Sequence, residues 1–536
     1  MNASHAARTD RSPWPIVMAI AAALLLVRLG YLAWLCPYTL AEDEAHYWDW
    51  SRSLDWSYYS KGPGVAWLIA AMTSIFGESE LGIRAGAALM GSIATIGVAG
   101  LAHATYADRR TTIATAALFN LIPFYQVSAL LMTIDMPYVA CWAVGSWAAM
   151  LALHKGGRRA WIALGASIAV GFLFKYTMAM IVPGILGAII AGHLASKRTG
   201  RPVLRMDPRF GRWAAFCVLV ALTGLAPVLI WNAERDWPTV RHLLGHLGVK
   251  GGDVPTPREP WTPKWFFEFV AVQIGLIGPA LALMYRAIAR GETGREDSPT
   301  EDAMRARART LAWMGLPLIG FYLLVSLIND AEGNWAIAGY VTLVPLAARL
   351  GTGRKRAGNR AGGRYPAWPA CWVVGAVVAI CFARLDVLAK VPLIGRAVPL
   401  GRLMQSDLRA HDVDRYANVL AEETGLEPFV IASHYGRASQ LAFYMKDRPR
   451  VYCAGPHVGG RKTQFDMWAS TDLSQRSVNL QLSGRPAVLV GSQQHQWERA
   501  FEHIEPIGAL DGETKPDRVS FLGYAYRGFT GPRQDK

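Results

Sequence analysis

The stretch Asp43-Glu44-Ala45-His46-Tyr47-Trp48-Asp49-Trp50, continuing to Tyr58-Tyr59-Ser60-Lys61-Gly62-Pro63-Gly64, follows directly on the first long apolar run of the chain. The run from Ile16 to Cys36 has the ~20 residues needed to span a bilayer, and no small-residue cleavage site follows it. Two adjacent carboxylates, a histidine, a lysine and several Trp and Tyr rings therefore stand at a membrane face. Charge there is tolerable where it reaches water and expensive in hydrocarbon. Aromatic rings favour the same boundary. By itself the stretch fits an interfacial belt as well as a reactive loop, so the decision passes to the rest of the chain.

The composition supports spans. Of 536 residues 52% are hydrophobic and only 18% charged, against about 25% charged in an average soluble domain. Six cysteines are present, and Cys453 alone lies in the polar tail, so neither a disulfide framework nor a metal-type cysteine pair can be drawn. The net charge of +15 invites a nucleic-acid reading, but the placement of Lys and Arg answers it differently.

The rule of ~20 apolar residues per helix gives about eleven spanning segments. They run over 14–36, 82–106, 111–131, 137–153, 160–174, 176–195, 213–231, 266–287, 310–328, 335–350 and 367–387. The run 63–76 is shorter and reads as an interfacial helix. With the N-terminus inside, successive cytoplasmic loops are basic: Arg109-Arg110, then Lys155 with Arg158 and Arg159, then the Lys/Arg series 197–212, then 290–309 and 354–364. That agrees with the positive-inside rule and accounts for much of the net charge with no nucleic-acid partner. The opposite loops hold the opening stretch, Thr133–Pro137, Lys175-Tyr176, the segment 232–265 and Asn329–Trp335.

By the same parity the tail from 388 is extracytoplasmic. Phe429–Ser433, Arg450–Cys453, Ala487–Gly491 and Ser520–Tyr526 read as strands, with Arg437–Met445 and Trp497–Ile504 as helices. About 150 residues suffice for one small α/β domain. The organisation expected is a transmembrane domain over 1–387, with a reactive loop at 38–63 and the interfacial helix 63–76, followed by a soluble domain over 388–536.

The extracytoplasmic loops share a pattern: ionisable groups next to helix ends. Asp43 and Glu44 close the first span, Asp135 precedes a Pro that starts a helix, Lys175 lies in a tight hairpin, His246 sits in the long loop, and Glu332 and Asn334 are in the last. Ionisable residues abutting membrane helices mark functional sites by default, although Asp135 also suits a helix cap and Lys175 could simply snorkel. Lys and protonated His can neutralise a phosphodiester. A carboxylate can take the proton of an acceptor hydroxyl, and the faces of Tyr47, Trp48, Tyr58, Tyr59 and Trp335 suit sugar rings.

These pieces resemble a known family. Asp43–Trp48, Tyr58–Pro63, Leu130–Pro137, Phe174–Thr177, Pro227–Asn232, Leu244–His246 and Gly333–Trp335 stand in the order seen in bacterial members of the dolichyl-phosphate-mannose-protein mannosyltransferase-like superfamily. That branch includes the aminoarabinose and galacturonic acid transferases of lipid A. The resemblance implies a multi-span α-helical membrane protein of the GT-C type, with about eleven transmembrane helices and a C-terminal extracytoplasmic α/β domain. It implies an inverting glycosyltransferase at the inner (plasma) membrane that takes sugar from an undecaprenyl (polyprenyl) phosphate. The acceptor would be lipid A, another envelope glycan or a protein. Asp43 would be the catalytic carboxylate, supported by Glu44, with Asp135 as a second acid. Lys61, with Lys175, would hold the donor phosphate. His46 is expected to join them on the donor phosphate, although it stands where some relatives carry Arg, and a neutral His binds phosphate less well. Tyr47, Trp48, Tyr58, Tyr59, His246, Glu332, Asn334 and Trp335 would contact substrate. No metal is required if Lys and His carry the phosphate charge, and no cofactor is expected beyond the lipid-linked donor. A lipid-linked saccharide transporter (flippase) is the alternative, and a scaffold with a binding tail a third reading. A transporter should show charged or broken helices at mid-membrane, and neither alternative uses the Asp43 cluster.

Overall fold

The computed structural model describes residues 11–199, 204, 208–246, 252–253, 262–290, 299–352, 365–392, 401, 403–513 and 517–529. The chain forms two compact units, each assembled from separate segments. One comprises Met1–Trp34, Arg84–Leu229 and Glu259–Ala383, the other Leu35–Ile83, Ile230–Arg258 and Arg384–Lys536.

The first unit is helical. Among the described residues six helices are long and apolar enough to cross a membrane: Trp14–Trp34, Glu80–Tyr106, Asp135–His154, Tyr176–Lys197, Phe210–Ala233 and Ala303–Val325. Lys264–Ile277 and Ala280–Ala289 make a seventh if counted as one span, bent by 104°. The other expected spans differ for local reasons. The segment 111–131 breaks into Arg109–Phe119 and Pro123–Ser128, since the residue before a proline is steered out of the helical region. The segment 266–287 bends at Gly278, whose φ is +62°, ahead of Pro279. The segment 335–350 is a 3-10 turn, Gly333–Ala336, followed by the short helices Ile337–Val341 and Val344–Thr352. Arg158–Phe174 and Ala367–Ala383 have 17 residues each.

The helices Asp135–His154 and Arg158–Phe174 form an antiparallel hairpin. Its turn uses Gly156 and Gly157 at φ +75° and +102°, a conformation that favours glycine. Further along, Gly171 leaves room for Met178: a Cβ there would lie 2.6 Å from Met178 Cγ. The hairpin therefore brings its first residue, Asp135, back to its last neighbour, Lys175.

The second unit is built on a five-stranded mixed sheet: β1 (Phe429–Ala432), β2 (Val451–Cys453), β3 (Ala487–Val490), β4 (Phe501–Gly508) and β5 (Ser520–Tyr526). Their order is β2-β1-β3-β5-β4. β1 runs parallel to β2 and β3, while β5 is antiparallel to β3 and β4. Every residue of β1, β2 and β3 is buried, which explains their unbroken apolar runs. Phe429, Ile431, Leu489, Trp497, Phe521 and Tyr526 form the core. The helix expected over Trp497–Ile504 is corrected: only Gln494–Trp497 is helical, and Phe501 begins an edge strand. Phe501 and Ile504 have helical spacing, but here both are buried from a strand that pairs with β5, and Pro506 is tolerated on that edge strand at an irregular register.

The segment after the first span is part of this unit. Glu42–Ser51 is a helix, and so is Gly64–Phe76. The first packs on the helix Tyr435–Tyr444, with Trp48 edge-on to Phe443 at 4.9 Å. Leu40 is held from both sides: its amide donates to Tyr444 Oη (2.7 Å) and its carbonyl accepts from Gln440 Nε2 (2.8 Å). The opening stretch thus lies against the sheet-bearing tail.

Candidate active site

In the second unit Asp43 is the one exposed residue of the helix Glu42–Ser51, and Glu44 to Trp50 are all buried. Tyr435 Oη donates to Asp43 Oδ1 at 3.2 Å. Solvent reaches Asp43, yet the packing around its carboxylate raises its pKa, while the Tyr435 bond and the charges of Lys61 and Arg461 pull the other way. Glu42 lies 3.8 Å from Arg437, which also pairs with Glu513 at 3.0 Å. The helix Tyr435–Tyr444 starts at His434, whose Nδ1 accepts from the Gly436 amide (3.2 Å). Gly436 has no room for a side chain, since a Cβ would meet Glu42 Cβ at 2.4 Å. Glu42 and Asp43 therefore sit at the N-terminal end of that helix, where backbone dipoles favour negative charge.

The remaining residues of the opening stretch have other duties. Glu44, fully buried, accepts from the Ala41 amide (3.0 Å) and so closes the start of its own helix. His46 does not offer the phosphate-binding cation expected of it. Its Nε2 accepts from Trp50 Nε1 (3.1 Å), which leaves the proton on Nδ1, facing Ser439 Oγ (3.1 Å). Ser439 in turn donates to Asp49 (3.3 Å). Burial pushes the His46 pKa down to about 3, with His434 and Arg461 adding to the effect. It also pushes Asp49 up to about 6.

The expected sugar platform is corrected as well. Tyr58 stacks on Trp50 (4.4 Å, 11°) and donates to the Trp50 carbonyl. Tyr47 stands edge-on to Trp50 at 5.1 Å. Tyr59 donates to Asp253, which lies 3.4 Å from His242. Trp48 is 1% exposed and Tyr58 0%, so these rings are core rather than open faces. Lys61 is half-buried and its charge acts on Asp43. His246 ends the helix Pro238–His246; its side chain lies outside the described residues.

The first unit brings three expected residues together. Lys175 Nζ donates to Asp135 Oδ1 at 2.9 Å, and Asn334 Nδ2 to Asp135 Oδ2 at 2.7 Å. Gln273 Nε2 donates to the Gly333 carbonyl (2.9 Å) and fixes the turn that carries Asn334. Trp335 packs on Tyr322 with ring centroids 5.4 Å apart. Glu332 is exposed and outside this cluster.

The solved structures that this fold resembles are GT-C membrane glycosyltransferases. The structure of ArnT from Cupriavidus metallidurans in the apo state matches with a TM-score of 0.63, over 97% of this chain and 100% of that one, at 14% identity. Residues 60–231 match the model of the family described as dolichyl-phosphate-mannose-protein mannosyltransferase, as the sequence resemblance implied. Lipid A galacturonosyltransferase RgtD of Rhizobium johnstonii is 26% identical over 448 residues, 81% of this chain and 85% of that protein. The undecaprenyl phosphate-alpha-4-amino-4-deoxy-L-arabinose arabinosyl transferase of Pseudomonas aeruginosa is 26% identical over 361 residues, 63% of this chain and 60% of that protein. With its long apolar helices, the chain is a multi-pass membrane protein.

Proposed function

We propose that the protein is an inverting glycosyltransferase that moves a sugar from an undecaprenyl phosphate to an acceptor on the extracytoplasmic face of the inner membrane. The acceptor is lipid A or another envelope glycan or protein. Asp43 carries the reading: it is an exposed carboxylate on an otherwise buried helix, held by Tyr435 with Lys61 nearby. In a single displacement the acceptor oxygen bonds to the anomeric carbon and its proton passes to Asp43. The bond from that carbon to the phosphate oxygen breaks, and the electron pair leaves on undecaprenyl phosphate. Lys61 stabilises the departing charge. The names of the galacturonosyl and aminoarabinosyl relatives support the donor class and lipid A as acceptor.

The test is mass spectrometry of envelope glycolipids and glycoproteins from cells lacking the protein, rescued with wild type or Asp43→Asn. One sugar-sized mass should disappear and return with wild type only. Loss of whole glycans, restored by Asp43→Asn, would favour a lipid-linked saccharide transporter.

A further inference from the structure

We infer that the sheet-bearing tail contributes an oxyanion subsite of its own, in which Arg461, seated on Tyr435, receives a phosphate or carboxylate group of a substrate beside Asp43. The inference rests on the transferase reading above and names a binding residue that reading does not use.

The topology places the subsite. From β1 the chain passes to β2 on one side and then to β3 on the other, so β1 is where the strand order reverses. In open α/β sheets ligands bind outside the carboxyl ends of the strands at such a reversal. Tyr435 follows the carboxyl end of β1, and Arg461 follows that of β2. Asp43 meets Tyr435 at the same place.

The loop that carries Arg461 is shaped to hold it. Gly459 has φ +89°, and the Gly460 amide donates to the Gly455 carbonyl at 2.8 Å. Just beyond, the Thr463 amide donates to Asp466 Oδ2 at 2.8 Å. Between these anchors the Arg461 guanidinium lies over the Tyr435 ring, 5.7 Å from its centroid. Its charge acts on Asp43, His434 and Asp253, yet among the described residues it makes no ion pair. Other arginines of this unit are committed: Arg437 to Glu513, Arg485 to Glu427, Arg415 to Asp412. A half-buried guanidinium on an aromatic face, with its planar fork unspent, suits bidentate recognition of phosphate or carboxylate. Besides the donor phosphate, already given to Lys61, two substrate groups have that chemistry: a phosphate of the acceptor and a carboxylate of an acidic donor sugar.

The test is native mass spectrometry of the full chain in lipid nanodiscs, with four probes: lipid A, dephosphorylated lipid A, undecaprenyl phosphate-galacturonate and undecaprenyl phosphate. Arg461→Gln should weaken either lipid A or undecaprenyl phosphate-galacturonate by about tenfold or more. Its counterpart lacking that group should bind as to wild type. An effect on lipid A identifies the acceptor phosphate, and an effect on the galacturonate identifies the sugar carboxylate. Arg461→Lys should recover part of the loss, and Tyr435→Ala, which removes the ring beneath the guanidinium, should repeat it. Wild-type binding of all four probes by Arg461→Gln would overturn the proposal, as would equal weakening within both pairs. Absence of transfer by the wild-type protein, with the Arg461 discrimination intact, would count against the transferase reading alone.

Discussion

Replacing Asp49 with Asn should make the helix Glu42–Ser51 acid-labile, because two buried groups now offset each other. His46 has its folded pKa lowered from 6.5 to about 3. As pH falls through that window the unfolded segment takes a proton that the folded one refuses, and stability is lost, approaching about 5 kcal/mol near pH 3. Asp49 has the opposite sign: its folded pKa is raised from 3.8 to about 6. As pH falls from about 6 towards 3.8 the folded segment takes the extra proton, and stability of about 3 kcal/mol is regained. Between about pH 6 and 4 the two proton counts nearly cancel, so the wild-type helix should hold its stability. Asp49→Asn keeps an oxygen for the Ser439 hydroxyl but removes the compensating titration, exposing the His46 slope of about 1.4 kcal/mol per pH unit. Amide hydrogen exchange of Glu42–Ser51 between pH 4 and 7, corrected for intrinsic exchange rates, measures this as a local opening free energy. Parallel profiles for wild type and variant would refute the reasoning.

Three further outcomes are expected. Lys61→Ala should weaken binding of undecaprenyl phosphate by about tenfold while leaving insertion intact, and titration in detergent gives the constant; unchanged affinity would mean that the lysine merely snorkels. Lys175→Met leaves the Asp135 carboxylate, 7% exposed, without its cation, and should cost about 3 kcal/mol. The double change with Asp135→Asn should be milder, which a double-mutant thermal-stability cycle checks. Trp48→Ala removes a ring packed between the helices Glu42–Ser51 and Tyr435–Tyr444 and should cost about 3–5 kcal/mol, read as faster limited proteolysis of the segment 35–83.

Legibility followed the kind of signal. Long apolar runs and basic loops made the membrane portion readable, fully buried strands made β1, β2 and β3 readable, and the largely buried β5 followed them. Proline and glycine inside apolar runs did their damage where local rules say they should, at 120–123 and 278–279. The cluster of Asp135, Lys175 and Asn334 could be anticipated as charge at helix ends, though its hydrogen bonds could not. The opening stretch misled in a specific way. Aromatics beside carboxylates look like a sugar platform, but burial is decided by what packs on them, and that partner lies nearly four hundred residues away: His46 meets Ser439 across 393 positions. For the same reason Tyr435 and Arg461 carried no signal in a reading of the loops. The double glycine before Arg461 was the only local hint.

That separation has a consequence for biosynthesis. At about 5–20 residues per second, a ribosome needs on the order of 20 to 80 s to travel from His46 to Ser439. Throughout that interval Trp48, Trp50 and Tyr58 have no sheet-bearing partner to cover them. Until then the segment exposes aromatic surface of the kind that makes incomplete chains prone to aggregate, and a chain terminated before β1 leaves Asp43 without Tyr435 however well its spans have inserted.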